Sequence, residues 1–189
     1  MKKIAIVYHS GYGHTKKTAE AVHEGVVAAD TEATLYPIDE QGNISDDNWI
    51  ALAAADAIIF GSPTYMGSVS WQFKKFADAS SKPWFGQVWK DKIAAGFTNS
   101  ASMNGDKHST LHYLITLAMQ HGMVWVGSGM MPANSKAAQR NDINYLGSFA
   151  GLMTQAPSDS TPEEGPLYGD LETARQFGTR IAEYTKMQR

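Results

Sequence analysis

Short apolar runs alternate with segments of helical periodicity, and this alternation constrains the fold of the 189-residue chain more than any other feature. Four runs are almost uninterrupted, as expected for strands buried on both faces, and they cover residues 4–8, 57–60, 93–97 and 123–126. A fifth run, residues 32–36, alternates between polar and apolar side chains. That alternation is typical of a strand with one exposed face or a strand at a sheet edge.

The segments between and after these runs have the periodicity of helices. Apolar residues recur at helical spacing within residues 15–26, 69–76, 111–118 and 171–181. A shorter helix is predicted over residues 46–55, with Ser45 as its N-cap. Regular alternation of strand and helix predicts a parallel sheet with right-handed crossovers and helices on both faces. We therefore expect one α/β domain over residues 1–189, with a long insertion at about 127–169 in which residues 146–153 are a candidate strand.

Composition excludes several classes of function. The chain contains no cysteine, which excludes disulfides, zinc–thiolate sites, iron–sulfur clusters and thiol catalysis. A net charge of −3 excludes a strongly basic footprint, so no nucleic-acid partner is predicted. No stretch reaches the roughly 20 apolar residues of a membrane span, and the apolar run near the N-terminus is too short for a signal peptide. These observations predict a cytoplasmic protein.

The loop after the first predicted strand has the composition of a phosphate site. It reads Ser10, Gly11, Tyr12, Gly13, His14, Thr15 and leads directly into a helix. The two hydroxyls are potential donors to phosphate oxygens, the glycines allow a tight backbone, and the helix N-terminus adds its positive dipole. The loop matches neither the Walker A pattern nor Gly-x-Gly-x-x-Gly. A plain glycine-rich turn is the alternative.

Two more loops leave the same edge of the predicted sheet. Residues 61–68 include Pro63, Tyr65, Met66 and Gly67, which together offer a stiff, flat and polarizable surface that a ligand can approach closely. Ser68 is a candidate N-cap of the helix that follows. Residues 98–105 are small and rich in hydrogen-bond donors. Each loop alone is also compatible with an ordinary turn, but together the three predict a mononucleotide with a flat heterocycle at the carboxyl edge of the sheet.

Three motifs carry a resemblance to a known family. They are residues 8–15 (YHSGYGHT), 59–67 (IFGSPTYMG) and 117–123 (LAMQHGM). The arrangement resembles flavodoxin-like FMN proteins and, more narrowly, the WrbA-type NAD(P)H:quinone oxidoreductases, over residues 2–185. The resemblance implies a doubly wound, five-stranded parallel sheet of order 2-1-3-4-5 with helices on both faces. It also implies non-covalent FMN, NAD(P)H as electron donor and a quinone-like acceptor.

The resemblance assigns residues to the flavin. It implies that phosphate is held by Ser10, Gly11, Tyr12, Gly13, His14 and Thr15. It implies that the ring lies along Pro63, Thr64, Tyr65, Met66 and Gly67. It implies that the pyrimidine edge and ribityl chain are held by Thr98, Asn99, Ser100, Ala101, Ser102, Asn104 and Gly105.

Trp84 and His121 are the candidates for residues that face the substrate. Trp84 lies in residues 80–89, where three large aromatic residues occupy a connection rich in proline and glycine. Such a segment predicts either an interface or a satellite core over the sheet edge. In WrbA-like proteins a tryptophan at this position reaches a neighbouring subunit's flavin pocket, which implies a homo-oligomer, dimer or tetramer. His121 ends a predicted helix, where it is either a helix C-terminal cation or a group that faces the substrate.

The remaining histidines do not predict a metal site. His108 and His112 are four residues apart on a predicted helix, a spacing compatible with metal ligation, but no third ligand accompanies them.

The predicted function is ping-pong transfer of two electrons from NAD(P)H to a quinone-type acceptor through FMN. Two alternatives stay open: a flavodoxin-type electron carrier that serves a partner reductase, and a flavin-free regulator with the same fold.

Overall fold

A computed structural model describes residues 1–188 of the chain. In chain order its elements are β1 (Lys3–Tyr8), α1 (His14–Ala28), β2 (Glu32–Pro37), α2 (Asp46–Ala54), β3 (Ala57–Tyr65), β4 (Ser68–Val69), α3 (Trp71–Ala79), α4 (Ser81–Phe85), β5 (Ile93–Ser100), α5 (Lys107–Gln120), β6 (Val124–Trp125), β7 (Leu152–Gln155) and α6 (Tyr168–Met187). Within this part of the chain, no helix has both the length and the apolar character needed to cross a membrane.

The main sheet has the order β2-β1-β3-β5-β6, and each neighbouring pair is parallel. Counted without the short hairpin strand β4, this is the predicted order 2-1-3-4-5, and the fold class is confirmed. The half-exposed strand β2 lies at an edge, as its alternating sequence predicts. The strands β3 and β5 are buried along almost their whole length, in agreement with their continuous apolar runs.

The last position of the sheet is divided between two short strands. β6 pairs with β5 at Ile93 and Ala94, and β7 pairs in parallel with β5 from Phe97 to Ser100. The intervening residues 126–151 leave the sheet and return to it. The strand expected at 146–153 therefore begins later, at Leu152, and lies inside the segment 127–169 that the sequence indicates as an insertion.

Each face of the sheet has its own core. Alternate residues of β1 point to opposite faces, because side chains alternate along a strand. Ile4 and Ile6 pack with α1 and α6, whereas Ala5 and Val7 pack with α2, α3 and α5. This arrangement places the loops that follow β1, β3, β5 and β7 at one end of the sheet, called the carboxyl edge below. The opposite end is called the amino edge.

Two helix caps are informative about the sequence patterns. Ser45 caps α2 by accepting the backbone N–H of Asn48 at 3.2 Å, as predicted. The prediction of Ser68 as the cap of α3 is wrong, because Ser68 pairs with Tyr65 in a β-hairpin. Ser70 takes that role and accepts the N–H of Phe73 at 3.3 Å. The hairpin thus moves the helix start two residues along the chain.

The aromatic segment after α3 is divided between core and surface. Trp89 is fully buried and stacks on Trp49 and Phe76, with ring centroids 6.2 and 6.4 Å away. Trp84 and Phe85 lie on α4 at the surface, with ring centroids 4.7 Å apart. The core alternative is therefore correct for Trp89, while the other two aromatic side chains stay exposed.

Candidate functional site

A cavity of about 530 Å³ opens at the carboxyl edge, and its walls come from four loops. A volume of this size is typical of small-molecule sites, which measure roughly 300–1,000 Å³. The lining residues are Tyr12, His14, Thr15, Pro63, Thr64, Tyr65, Asn99, Ser100, Ala101, Ala156, Ser158 and Ser160. The structure thus brings together parts of all three loops that the sequence indicates, and it adds a fourth segment.

The first loop forms a cradle for an anion. The Ser10 hydroxyl oxygen accepts the backbone N–H groups of Gly13 and Lys16, at 3.2 and 3.1 Å, and so holds the loop closed. Within residues 1–188, the N–H groups of Gly11 and Tyr12 donate to no protein acceptor. The first turn of α1 contains no acidic side chain. Free N–H groups at a helix N-terminus bind phosphate by hydrogen bonding and by the helix dipole.

Gly13 is fixed as glycine by its backbone and by its neighbour. Its φ of 92° lies in the left-handed region that side chains disfavour. A Cβ at this position would also come within 2.5 Å of Pro162 Cγ. A side chain at this residue would therefore strain the backbone of the cradle and displace Pro162.

The second loop is a tight hairpin between β3 and β4. Tyr65 pairs with Ser68, and the turn residues Met66 and Gly67 have φ values of 48° and 78°. Two positive φ values in a two-residue hairpin loop are typical of a type I′ turn. Met66 is fully exposed, and neither turn residue lines the cavity, in contrast to Pro63 and Thr64 of the same loop.

Two tyrosines form the mouth of the cavity. The rings of Tyr12 and Tyr65 meet edge to face, with centroids 6.2 Å apart and planes at 70°. Burial raises the pKa of the Tyr65 phenol, with a smaller contribution from Tyr12, so the phenol is neutral at physiological pH. The mouth therefore presents uncharged, flat surfaces.

The third loop meets the cavity only through its first residues. Asn99, Ser100 and Ala101 line it. Thr98 is fully buried below them, with its hydroxyl 2.8 Å from that of Thr64. Thr98 thus supports the floor of the cavity and is not among the residues that line it.

The rest of the third loop lies away from the cavity. Ser102, Asn104 and Gly105 are not among its lining residues. Asn104 lines a separate cavity of about 570 Å³, together with Tyr145 and Phe149 of the segment between β6 and β7. The structure therefore places these three residues beside this cavity and not in its lining, and their contact with a cofactor stays a prediction.

The fourth wall, residues 156–162, is not indicated by any of the sequence motifs. Ser160 meets the phosphate cradle directly, because its carbonyl oxygen lies 3.0 Å from His14 Nε2. Pro162 covers Gly13. The segment follows β7, which ends at the carboxyl edge like the other parallel strands. Recognition of residues 152–155 as a strand is the signal that would have placed this loop at the site.

His121 and Trp84 lie far from this cavity in the same chain. The helix α5 begins after the carboxyl end of β5 and runs back, so its last residues reach the amino edge. There His121 and Trp84 line another cavity, of about 320 Å³. The expectation that His121 stands beside the ring site is therefore wrong within one chain, since the crossover helix carries it to the opposite end of the sheet.

His121 is a buried, neutral side chain. Its Nε2 lies 2.9 Å from the hydroxyl of Ser80, which itself donates to the Ala77 carbonyl oxygen at 2.6 Å. Nε2 is therefore the donor, and Nδ1 has no partner within residues 1–188. The ring centroid lies 4.3 Å from that of Trp89. Burial lowers the pKa of His121 to about 4, which excludes a helix-capping cation at neutral pH.

The remaining histidine pair is solvent-exposed. The rings of His108 and His112 are 6.3 Å apart on α5. Across residues 1–188, His, Asp and Glu side chains form no group of three that could hold a metal ion.

The parallel sheet, the anion cradle and the aromatic mouth define a flavodoxin-like oxidoreductase. The family model described as NADPH-dependent FMN reductase matches residues 3–138, and the chain belongs to this family.

Individual relatives agree over nearly the whole length. The chain is 52% identical to the protein named Flavodoxin FldP of Pseudomonas aeruginosa, with 96% of each chain covered. It is 35% identical to an NAD(P)H dehydrogenase (quinone) of Geotalea uraniireducens, covering 95% of this chain and 96% of that protein. The solved structure of the flavodoxin, WrbA-like protein from Agrobacterium tumefaciens is 50% identical, with full coverage of both chains and a TM-score of 0.79.

The cofactor follows from the family, and the residues present fit it. FMN is bound non-covalently. The family is described as NADPH-dependent. The unpaired N–H groups of the first loop and the left-handed glycine fit a terminal phosphate. The tyrosine mouth and the polar residues Asn99 and Ser100 fit a flat ring with a polar edge.

Proposed function

We propose that the chain is an NAD(P)H:quinone oxidoreductase that transfers two electrons through FMN by a ping-pong mechanism. The observation that carries the proposal is the uncharged aromatic mouth formed by Tyr12 and Tyr65. Nicotinamide and quinone are both planar rings, and a flat, uncharged entrance suits each of them in turn. Curated relatives named NAD(P)H dehydrogenase (quinone), at 35% and 32% identity, support the same reaction.

The proposed placement of FMN follows the chemistry of the walls. The phosphate would accept the N–H groups of Gly11, Tyr12, His14 and Thr15 and the hydroxyls of Ser10 and Thr15, while the Gly13 N–H stays on the Ser10 oxygen. The ring would lie against Pro63, Thr64 and Tyr65, and its polar edge would meet residues 99–101. When bound, the flavin accepts a hydride and passes two electrons on. The chain's own residues bind it, orient it and limit access of water at the mouth.

A flavodoxin-type electron carrier is the second candidate, and the charge distribution favours it. The loops at the carboxyl edge, residues 9–13, 38–45, 101–106 and 156–167, contain no Lys or Arg. They expose Asp39, Glu40, Asp106, Asp159, Glu163 and Glu164. An acidic rim of this kind favours docking of a basic protein partner. The carrier would accept electrons from NADPH only through a reductase, whereas the proposed enzyme is reduced directly.

We further propose a homo-oligomer, dimer or tetramer, in which Trp84 closes the site of a neighbouring copy. Trp84 and Phe85 form an exposed aromatic pair at the amino edge. Exposed apolar side chains that lie together normally mark an interface or a binding surface. A contact between two copies would place the pair of one copy beside the mouth of the other. We also propose that residues 1–189 form a single domain and that the protein is located in the cytoplasm.

Replacement of Trp84 by alanine is expected to raise the quinone KM about two- to tenfold, since aromatic stacking contributes about 0.5–1.5 kcal/mol beyond burial. FMN content and reduction by NAD(P)H should stay unchanged. Tyr184→Ala is the matched control, because Tyr184 and Trp84 are both 38% exposed. Light scattering that shows a monomer with full quinone activity would contradict the shared site.

A further inference from the structure

Lys107, the first residue of α5, is fully buried. Its ammonium donates to the carbonyl oxygens of Ser102 and Met103, at 2.5 and 2.9 Å. Within residues 1–188 it forms no ion pair with a carboxylate. Burial lowers its pKa to about 8, an effect that the charge of Asp170 partly offsets, so the group is still protonated at neutral pH.

A lysine in this position is unfavourable for the fold alone. A buried charge without a counter-ion costs free energy. The start of a helix carries positive partial charge, so a cation there opposes the helix dipole. The nearby carboxylate of Asp170 is already held by Arg140, with two hydrogen bonds of 2.6 and 2.7 Å. Lys107, Arg140 and Asp170 together therefore carry one net positive charge, and the carboxylate next to Lys107 in the chain, that of Asp106, is exposed to solvent.

This positive region lies directly behind a wall of the cavity. Ala101 lines the cavity, and the next residue, Ser102, accepts a hydrogen bond from the Lys107 ammonium. A hydride transferred to the flavin brings two electrons and one proton, so the ring gains one negative charge. A fixed positive charge behind the wall stabilises that change more than it stabilises the oxidised ring.

We propose that Lys107 is a positioning residue whose buried ammonium fixes the third loop and, together with the α5 N-terminus, makes bound FMN easier to reduce. The proposal rests on the placement of the polar ring edge against residues 99–101. It gives a function to a buried charge that the phosphate cradle and the tyrosine mouth do not use.

The test compares two variants that each remove one anchor of the same loop. Lys107→Met removes an anchor and a charge. Gln155→Leu removes a neutral anchor, the hydrogen bond of 2.7 Å from Gln155 Nε2 to the Ala101 carbonyl oxygen, together with the 3.3 Å hydrogen bond that Gln155 Oε1 accepts from Arg140, and it changes no charge. Dissociation constants for oxidised and reduced FMN, together with the midpoint potential of the bound flavin, are measured for both variants and the unaltered chain.

In Lys107→Met, we expect reduced FMN to be weakened at least tenfold more than oxidised FMN. For a two-electron couple this equals a midpoint potential about 30 mV more negative. In Gln155→Leu, both redox states should weaken equally and the potential should stay unchanged. The proposed role would be overturned if Lys107→Met weakened the binding of oxidised and reduced FMN equally, as expected for Gln155→Leu. It would also be overturned if Lys107→Met left the midpoint potential unchanged.

If Lys107→Met does not fold, Lys107→Gln takes its place. This variant keeps an N–H donor without the charge, and it should show the same shift in midpoint potential.

The binding data also distinguish an error in the placement of the flavin ring from an error in the role of Lys107. If the unaltered chain binds FMN but a substitution of Asn99 or Ser100 leaves that binding unchanged, the placement of the ring edge is wrong. If those substitutions weaken binding while the Lys107 variants keep the potential, only the role of Lys107 is wrong.

Discussion

Replacing both Ser10 and Thr15 by alanine is expected to weaken FMN binding at least about tenfold, and at least about 100-fold if the two losses add. Each hydroxyl is placed to donate to the phosphate, and a hydrogen bond to a charged group contributes roughly 1.5–3 kcal/mol. Ser10 has a second effect, because its oxygen holds the N–H groups of Gly13 and Lys16. A titration that follows flavin fluorescence measures the change.

Riboflavin, which lacks the phosphate, is the internal control for that titration. Its affinity should differ little between the unaltered chain and the double variant, since the ring site at Pro63, Thr64 and Tyr65 is untouched. Thr116→Ala, on the exposed side of α5, serves as a matched substitution that should leave FMN affinity unchanged. If the double variant binds FMN as tightly as the unaltered chain, the phosphate does not occupy the first loop.

The free energy of unfolding is expected to fall by about 2 kcal/mol between pH 7 and pH 5 through His121 alone. Its pKa is about 4 in the folded chain and near the ordinary value of 6.5 in the unfolded chain. Between pH 6.5 and pH 4, His121 therefore binds a proton in the unfolded chain but stays neutral in the folded chain. The free energy of unfolding decreases as the pH falls through this range. Each pH unit between the two pKa values corresponds to about 1.4 kcal/mol.

Urea unfolding of the His121→Gln variant at both pH values isolates this contribution. The variant should lose the extra 2 kcal/mol of pH dependence, whatever its stability at pH 7. Any decrease in the free energy of unfolding that His121→Gln still shows on acidification would come from other groups. One of them is His9, which is also buried and has a lowered pKa. His108→Gln is the control, because this ring is exposed. An identical pH dependence in His121→Gln and the unaltered chain would show that His121 ionises freely.

Most of the fold could be predicted because burial on two faces leaves a direct mark on the sequence. The continuous apolar runs of β1, β3 and β5 and the alternating run of β2 indicate the central and edge strands. The sequence pattern of β7 is weaker, since two of its four residues are polar and it follows a long irregular segment. Its hydrogen bonds to β5 define it, and those are long-range contacts that periodicity does not report.

The part of the site that a single loop forms could be predicted from the sequence. The parts formed by segments far apart in the sequence were predicted less well. The cradle of residues 10–15 is local, so its glycines and hydroxyls are informative by themselves. The cover formed by Ser160 and Pro162 depends on contacts with His14 and Gly13 across the structure. His121 was misplaced for a related reason, because a turn motif does not reveal at which edge of the sheet its helix ends.

Anaerobic stopped-flow reduction of the FMN-loaded protein tests the central claim most directly. The account predicts that NADPH or NADH alone bleaches the flavin absorbance at least as fast as steady-state turnover with a quinone. A second mixing step with quinone should then restore the absorbance completely. Negligible bleaching by either nucleotide until a separate reductase is added would contradict the proposed enzyme and identify the chain as an electron carrier.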